Sequence, residues 1–268
     1  MDVTHDGALL FRWNVRCAFV NSHSPLCYNA TMDLEELAAE ARRLGLELTP
    51  RQLEQFDDYV RALLDWNTRL NLTGITDPNE IMVKHLLDSL SVAPLLNAPF
   101  HARLIDIGTG AGFPGVVLKI ALPQLDVTLL EATGKKVQFL KHILVSLQIH
   151  GAEAIQGRAE DLGRDLAHRE QYDYAVARAV ADLATLVEYA LPFLRVGGVF
   201  VAQKGIDVEE EIRGGGRAIR LLGGHLRETL PVQLPGLQVR HLVIVDKAAP
   251  TPPAYPRRTG LPEHKPLR

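Results

Sequence analysis

The stretch Leu104-Ile-Asp-Ile-Gly-Thr-Gly-Ala-Gly-Phe-Pro-Gly115 joins an apolar strand to a glycine-rich turn. Glycines at 108, 110 and 112 accept positive φ angles and let the backbone approach a ligand closely. Pro114 then suits the first turn of a helix. A strand, a glycine turn and a helix in this order are typical of a nucleoside-binding loop at the edge of a parallel sheet. Asp106, Gly108 and Gly110 are therefore candidate cofactor-binding residues.

A second acidic residue, Glu131, ends the next apolar run, about 20 residues past the glycine turn. A carboxylate in this position can accept hydrogen bonds from ribose hydroxyls. The glycine spacing is G-x-G-x-G, whereas dinucleotide-binding loops use G-x-G-x-x-G to hold a pyrophosphate. Together with Asp106, two residues before the first glycine, this spacing favours S-adenosylmethionine over NAD. A purely structural turn is the alternative.

Two later strand ends carry further candidate contacts. Gly157-Arg-Ala-Glu-Asp161 follows the third strand, where Ala159 and Glu160 can read the edge of an adenine with an amide and a carboxylate. A solvated charged turn is an equally good interpretation of that segment. Arg178 follows the apolar run YAVA at the carboxyl edge of the sheet, where doubly wound proteins bind ligands. A ligand contact is favoured there over a solvated edge residue, and Lys204 is a weaker candidate of the same kind.

From residue 102 onward, apolar strands alternate with helical patterns. This alternation predicts an α/β fold with a doubly wound, mostly parallel sheet. Gly214-Gly-Gly216 is a poor helix interior, so we expect the helix that contains it to be broken. Strands are predicted near 103–107, 126–131, 152–156, 172–177, 197–203 and 241–246. Helices are predicted at 115–122, 134–149, 182–194 and roughly 207–222.

The chain divides into four parts around this sheet. Residues 1–31 show no period, and Met32 opens a strongly helical run. We therefore expect 1–31 to be a disordered extension and Met32 to be the natural start. Residues 32–98 read as an N-terminal helical region, because it contains two proline-marked helix starts. Residues 99–247 form the predicted cofactor-binding domain, and 248–268 a basic, proline-rich, irregular tail.

Composition excludes several classes of protein. The net charge is −3, so a surface that binds nucleic acid has to be local. Both cysteines, Cys17 and Cys27, lie near the N-terminus, which argues against a disulfide framework or a cysteine metal site. No apolar run is long enough to span a bilayer, and Arg12 and Arg16 interrupt the one stretch that looks like a signal peptide. A cytoplasmic protein without a metal or a membrane partner is expected.

The segment DIGTGAGFPG, with WNTRLNLT and KHLLDSL upstream, resembles the small-subunit ribosomal RNA methyltransferase G family, also called glucose-inhibited division protein B. The resemblance continues through GKKVQFL, ARAVADL and AQKG into TPPAYPRRTGLPEHKPL. It spans the chain from about Met32 to the C-terminus, and several motifs in order are far more specific than one glycine loop. The first 31 residues and the GGGR segment depart from the family pattern.

The resemblance implies a class I methyltransferase (Rossmann-like) fold and methylation of N7 of one guanine in the decoding-region loop of 16S rRNA. It implies S-adenosylmethionine as the cofactor and 16S rRNA or the 30S subunit as the partner. Because guanine N7 has a lone pair and no proton, no catalytic base is needed. The oligomeric state is open, and we expect a monomer. The family's cofactor contacts fall on Gly108, Phe113, Ala159, Glu160 and Arg178, and Glu131 also matches.

RNA contacts are expected from two basic clusters. Lys135 and Lys136 lie beside the cofactor loop, and Arg257 and Arg258 belong to the basic tail. Such side chains can neutralise phosphates and make binding sensitive to salt. For each cluster, solvated surface charge is the alternative.

Several other side chains suggest chemistry but fit a structural role better. His85, Asp88 and Ser89 share one helix face and resemble a catalytic triad, yet packing of the helical region against the sheet is the better interpretation. Trp66 and Tyr255 can stack on a splayed base. The helical spacing of Trp66 among apolar residues is more typical of a core position.

Three other functions share part of this pattern. A methyltransferase acting on another RNA or on a small molecule would keep every cofactor feature, and for a small molecule the basic tail would not be needed. An NAD-dependent oxidoreductase would need a pyrophosphate loop and an acid-base residue. A non-catalytic RNA-binding protein could retain the fold without methyl transfer.

Overall fold

Seven strands form one sheet in the residues that this computed structural model describes, 32–96 and 99–268. The strands are β1 (Arg103–Ile107), β2 (Asp126–Glu131), β3 (Ala152–Gln156), β4 (Tyr172–Arg178), β5 (Leu194–Lys204), β6 (Gly224–Val232) and β7 (Arg240–Lys247). Their order across the sheet is β3-β2-β1-β4-β5-β7-β6. The first five strands pair in parallel, and β7 runs antiparallel to both β5 and β6. The predicted fold class, α/β with a doubly wound and mostly parallel sheet, is confirmed.

An N-terminal helical region precedes the sheet. It consists of α1 (Leu34–Arg43), α2 (Pro50–Asn67), α3 (Pro78–Ile81), a π-helical turn (Met82–Leu87) and α4 (Asp88–Leu90). Helix α2 begins where predicted, because Thr49 and Gln52 form a capping box around Pro50 at the first helical position. Asp77 caps α3 by accepting hydrogen bonds from the amides of Asn79 and Glu80, without the reciprocal bond of a capping box.

Helices cover both faces of the sheet. They are α5 (Gly115–Ala121), α6 (Gly134–Ser146), α7 (Ala159–Leu162), α8 (Leu183–Ala190), α9 (Val208–Leu221) and α10 (Leu261–His264). One apolar core joins the N-terminal helices to α5, α6 and one sheet face, and it includes Phe56, Tyr59 and Phe139. A second core joins α8 and α9 to the opposite face. The helical region is therefore packed on the sheet through a shared core.

The sequence analysis missed strand β6 and wrongly predicted a break in helix α9. Strand β6 was not predicted, because it is an edge strand whose exposed residues and Pro231 weaken the strand signal. Helix α9 is continuous through Gly214–Gly216, where a break was expected. A Cβ on Gly215 would lie 3.1 Å from Leu183 Cγ, so the missing side chain lets α9 pack closely on α8. Tertiary packing overrides the poor helix propensity of glycine there.

Residues 248–268 lie against the sheet domain, and they are irregular apart from α10. Arg169 holds this segment by donating hydrogen bonds to the carbonyl oxygens of Thr251 and Tyr255, both at 2.8 Å. The hypothesis of an N-terminal extension at 1–31 lies outside the described residues. Within the described ranges, none of the helices combines the length and the apolar character needed to cross a bilayer.

Candidate functional site

Two cavities lie side by side over the carboxyl ends of the parallel strands, on either side of the boundary between β1 and β4. Strand order reverses at this boundary, and doubly wound sheets bind their ligands there. The smaller cavity, of about 290 Å³, lies beyond β1, β2 and β3. The larger cavity, of about 550 Å³, lies beyond β4 and β5 and beside the start of β7. Ala179 and Val180 line both, so the two cavities meet at this loop.

The glycine turn takes the backbone shape that its sequence predicts. Gly108, Gly110 and Gly112 have φ angles of +68°, +63° and +106°. At Gly108 a Cβ would lie 2.7 Å from a methyl group of Val180, and at Gly112 it would lie 2.7 Å from the Tyr59 hydroxyl. Side chains at these two positions would therefore strain the backbone and collide with the walls of the site.

Asp106 holds the glycine turn from below and is fully buried. Its Oδ2 accepts hydrogen bonds from Thr109 Oγ1 at 2.5 Å and from the amide of Gly115 at 2.7 Å. Its Oδ1 has no hydrogen-bond partner among the described residues. Burial raises the pKa of the Asp106 carboxyl to about 6, and the two hydrogen bonds oppose that rise.

The raised pKa of Asp106 predicts a pH-dependent stability difference between the wild type and Asp106→Asn. Protonated Asp106 is favoured in the fold, so its contribution is complete below the ordinary pKa of 3.8 and is lost as pH rises through about 6. From about pH 4 to about pH 7 the wild type should lose roughly 2 kcal/mol of unfolding free energy relative to the variant. Urea unfolding at several pH values measures this difference. The exposed substitution Asp207→Asn is the control, and parallel pH profiles for the wild type and Asp106→Asn would contradict the assignment.

Glu131 ties the second strand to the glycine turn. Its two carboxylate oxygens accept hydrogen bonds from the amides of Gly110, at 3.0 Å, and Thr133, at 2.8 Å. Each carboxylate oxygen has about two acceptor positions, so capacity remains for hydroxyl donors. The carboxylate lines the smaller cavity, which suits the predicted ribose contact.

Ala159 and Glu160 begin α7 and line the same cavity as Gly108, Glu131 and Tyr189. Glu160 is buried, and its Oε1 accepts a hydrogen bond from the amide of Gly260 at 2.8 Å. The C-terminal segment therefore supports this wall of the cavity. The interpretation of 157–161 as a freely solvated turn does not fit the burial of Ala159 and Glu160.

Arg178 lines the larger cavity and is anchored by the helical region. Its Nη1 donates hydrogen bonds to Asp88 Oδ2 at 3.0 Å and to the carbonyl oxygen of Lys84 at 3.2 Å. Its guanidinium carbon lies 5.0 Å from the centroid of the Phe113 ring. The π-helical turn, β4 and the glycine turn thus meet at this arginine, and π-helical turns are frequent at functional sites.

His85 lies beside both Arg178 and Phe113 and is neutral near pH 7. Burial, reinforced by the positive charge of Arg178, lowers the pKa of His85 to about 4. Its Nε2 lies 2.9 Å from Thr73 Oγ1, and its Nδ1 lies 3.1 Å from the carbonyl oxygen of Lys84. Its Nδ1 also lies 3.5 Å from Arg178 Nη2, which can only donate a hydrogen bond.

The helix-face residues His85, Asp88 and Ser89 do not form a hydrogen-bonded relay. The Ser89 hydroxyl donates to the backbone carbonyl of His85, four residues earlier, and Asp88 pairs with Arg178. Sequence reasoning assigned these residues to packing alone and missed that His85 and Asp88 line the larger cavity. No local sequence signal marks the π-helical turn that places them there.

Gln203 and Arg240 also line the larger cavity. Gln203 was not predicted as a site residue, and Arg240 was considered only as one of the basic residues of 239–268 that could neutralise RNA phosphates. Their positions carried a signal, because Gln203 precedes the strand end at Lys204 and Arg240 opens the last strand. Lys204, the weaker candidate, donates to the carbonyl oxygen of Ala181 and pairs with Glu211, each at 2.6 Å.

The four residues predicted to contact RNA occupy different environments. Lys135 and Arg258 are exposed, and Lys136 is half-buried. Arg257 instead pairs with the fully buried Glu188, with 2.6 Å between Arg257 Nη2 and Glu188 Oε2. Its guanidinium therefore has a partner within this chain. The expectation for Trp66 as a core residue agrees with its ring contacts to Phe139 and His142.

Comparison with known proteins identifies a family and close relatives. The family model for rRNA small subunit methyltransferase G, GidB, matches residues 52–242. A Roseiflexus castenholzii protein named ribosomal RNA small subunit methyltransferase G is 50% identical over 234 residues, covering 87% of this chain and all of the relative. A Moorella thermoacetica protein of the same name is 49% identical over 233 residues, covering 87% and 97%. A Corynebacterium glutamicum crystal structure, 20% identical with a TM-score of 0.50, shares the fold over 72% of this chain and 91% of that chain.

Proposed function

Because the chain belongs to the rRNA small subunit methyltransferase G family, we propose that it transfers the methyl group of S-adenosylmethionine to N7 of a guanine in 16S rRNA. The chain is a methyltransferase with the class I fold, and its cofactor is S-adenosylmethionine. Membership of the family does not by itself give the position of the target guanine in 16S rRNA or the assembly state of the rRNA that is bound. Both are part of the proposal. The decoding-region loop is the site that we propose.

The smaller cavity fits the adenosine part of this cofactor. Glu131 retains acceptor positions for ribose hydroxyls, and Ala159 and Glu160 line the part assigned to adenine. A Cβ on Gly110 would come no closer than 4.0 Å to any other group, so open space lies above the turn. When bound, the cofactor supplies a methyl group already activated on a sulfonium.

The observation that carries the proposal is the junction of the two cavities at Ala179 and Val180. A methyl donor in one cavity and an acceptor base in the other would meet at this loop. Holding two reactants in a productive arrangement can lower a barrier by roughly 7–11 kcal/mol. The protein therefore has to position the methyl donor and the acceptor base and to exclude water from them. The buried residues in the walls of the two cavities are suited to both tasks.

The larger cavity has the charge expected of a site for RNA. Four cations line it, against the carboxylates of Asp88 and Glu211. They are Lys84, Arg178, Lys204 and Arg240. Three of these cations are paired, Lys84 with Glu80, Arg178 with Asp88 and Lys204 with Glu211. Arg240 has no ion pair among the described residues, so its charge is the one left to attract a phosphodiester chain, although the whole protein carries a charge of −3.

No side chain in the larger cavity has to remove a proton from the target. Guanine N7 attacks through an in-plane lone pair, so a general base has no task before methyl transfer. His85, whose pKa is about 4, is neutral near pH 7 and adds no charge beside Arg178. Arg178, held by Asp88 and by Lys84 O, is therefore placed to orient the reactants rather than to exchange protons.

We propose the 30S subunit as the form in which 16S rRNA is bound, by a monomer in the cytoplasm. The exposed side chains of Lys135 and Arg258 and the half-buried Lys136 are the candidate phosphate contacts outside the cavity. Such contacts would weaken as salt rises.

The test is methyl transfer to 30S subunits from a strain that lacks this protein. With radiolabelled S-adenosylmethionine, we expect label in 16S rRNA at one guanine, with chemical cleavage at N7-methylguanine mapping it to the decoding-region loop. Subunits from the parent strain should accept almost no label. Label in another RNA, or in a small molecule only, would contradict the proposed target.

A further inference from the structure

Two polar atoms of the larger cavity's walls have no hydrogen-bond partner within the described residues: Gln203 Oε1 and Arg240 Nε. Gln203 is only 5% exposed, and its Nε2 donates to the backbone carbonyl of Asp88 at 2.7 Å. That hydrogen bond orients the amide and leaves Oε1 as an acceptor without a donor. Buried polar atoms are nearly always paired, so two orphans in one cavity indicate groups that a ligand satisfies.

The two side chains project from the same face of the sheet. Gln203 on β5 stands opposite Leu242 on β7, and Arg240 is two residues from Leu242 on the same strand. Side chains two residues apart on a strand share a face. The unpaired acceptor, Gln203 Oε1, and the unpaired donor, Arg240 Nε, therefore lie on the neighbouring strands β5 and β7, where these strands border the larger cavity.

We propose that Gln203 and Arg240 select guanine as the target base. Gln203 Oε1 accepts a hydrogen bond from guanine N1–H, and Arg240 Nε–H donates one to guanine O6. This inference rests on the proposed function, because it places the target base in the larger cavity. Both atoms are shielded from solvent in the free protein. Arg240 Nε can turn toward a base without losing a partner, whereas turning Gln203 Oε1 strains the hydrogen bond from Gln203 Nε2 to Asp88 O.

The chemistry of this pair distinguishes the two purines. Guanine has an acceptor at position 6 beside a donor at position 1, whereas adenine has a donor at position 6 beside an acceptor at position 1. Adenine would face Arg240 with an amino group and Gln203 with a lone pair, so both protein atoms would stay unpaired. Leaving buried partners unpaired is the strongest way for a site to reject a near-isosteric ligand.

The test compares the binding of three nucleoside 5′-monophosphates to the full chain saturated with S-adenosylhomocysteine. Guanosine and inosine monophosphates both have O6 and N1–H, and 2-aminopurine riboside monophosphate lacks both. By saturation-transfer NMR we expect the first two to bind alike and the third to bind about tenfold more weakly. In Gln203→Met that preference should shrink to about threefold, because Arg240 can still donate to O6.

Gln55→Leu is the control, because Gln55, like Gln203, donates to a backbone carbonyl, that of Leu147 at 2.9 Å, and lies away from the larger cavity. It should keep the preference for guanosine monophosphate. The proposal is overturned if 2-aminopurine riboside monophosphate binds as well as guanosine monophosphate, or if none of the three binds. It is also overturned if Gln203→Met loses stability but keeps the preference, which would mean that Gln203 serves only the fold.

This binding readout needs no turnover, so it separates the inference from the proposed function. Preference for guanosine monophosphate that depends on Gln203, in a protein that fails to label 16S rRNA, would contradict the proposed target while supporting the base-selecting role. Methylation of a guanine in 16S rRNA, with no role for Gln203 in binding, would support the proposed target and contradict the base-selecting role.

Discussion

Gly108→Asp is expected to weaken the binding of S-adenosylmethionine by about 100-fold or more while the chain stays folded. The φ angle of Gly108 is +68°, and a Cβ there would lie 2.7 Å from Val180 Cγ2. Val180 can yield, but the new carboxylate would then stand in the smaller cavity on the same side as Glu131. A desolvated carboxylate without a partner strongly disfavours any ligand that must pack against it. Isothermal titration calorimetry with S-adenosylhomocysteine measures the loss.

Gly236→Asp is the control for this variant. The φ angle of Gly236 is +65°, so the backbone strain is matched, and no atom lies within 4 Å of a Cβ built there. This substitution should leave cofactor affinity within about twofold of the wild type. Wild-type affinity in Gly108→Asp would show that the glycine turn does not approach the cofactor, and the assignment of the smaller cavity would fail.

Arg257→Met is expected to lower the free energy of unfolding by about 3–5 kcal/mol. Glu188 is fully buried, and the Arg257 side chain donates to it from Nε, at 2.9 Å, and from Nη2, at 2.6 Å. Without the guanidinium, the Glu188 carboxylate keeps, among the described residues, only the backbone amide of Arg257 as a donor, at 2.8 Å. An unpaired buried charge is among the largest single destabilising changes known in proteins. Urea unfolding monitored by circular dichroism measures the loss.

Arg258→Met is the matched neighbour, because Arg258 is exposed. It should change stability by less than about 0.5 kcal/mol. If Arg258 contacts a phosphate, its loss should instead make rRNA binding less sensitive to salt. The double variant Glu188→Gln, Arg257→Met should regain much of the lost stability, since no buried charge remains. An Arg257→Met protein as stable as Arg258→Met, and impaired only in rRNA binding, would restore the role in RNA binding that the sequence suggested for Arg257.

Part of the wall of the smaller cavity could be predicted from the sequence, whereas Asp106, Gly110, Phe113 and Arg178, also predicted as cofactor contacts, do not line it. Gly108, Glu131, Ala159 and Glu160 stand at successive strand ends, and all four line it. Parallel strands place their carboxyl ends at one edge, so residues that follow each strand converge without further information. The glycine turn is equally local, because three positive φ angles in five residues require glycine.

The larger cavity could not be predicted in this way. Its walls come from the π-helical turn, from the ends of β4 and β5 and from the start of β7, so residues more than 100 positions apart must meet. Asp88 and Gln203, for example, are 115 residues apart in sequence and share a hydrogen bond. Such pairings depend on how the helical region docks on the sheet, and this docking produces no periodic pattern or motif spacing that can be recognised in the sequence.

The sequence by itself determined the alternating α/β pattern, the glycine turn and the family, because periodicity, positive φ and motif order are local properties. Tertiary structure alone decided that α9 runs unbroken, since Gly215 faces Leu183 across two packed helices. It also decided that Arg257 serves the fold, because the partner that neutralises it, Glu188, lies 69 residues away. Side-chain charge and helix propensity follow from the sequence, whereas tertiary packing determines which side chains are in contact.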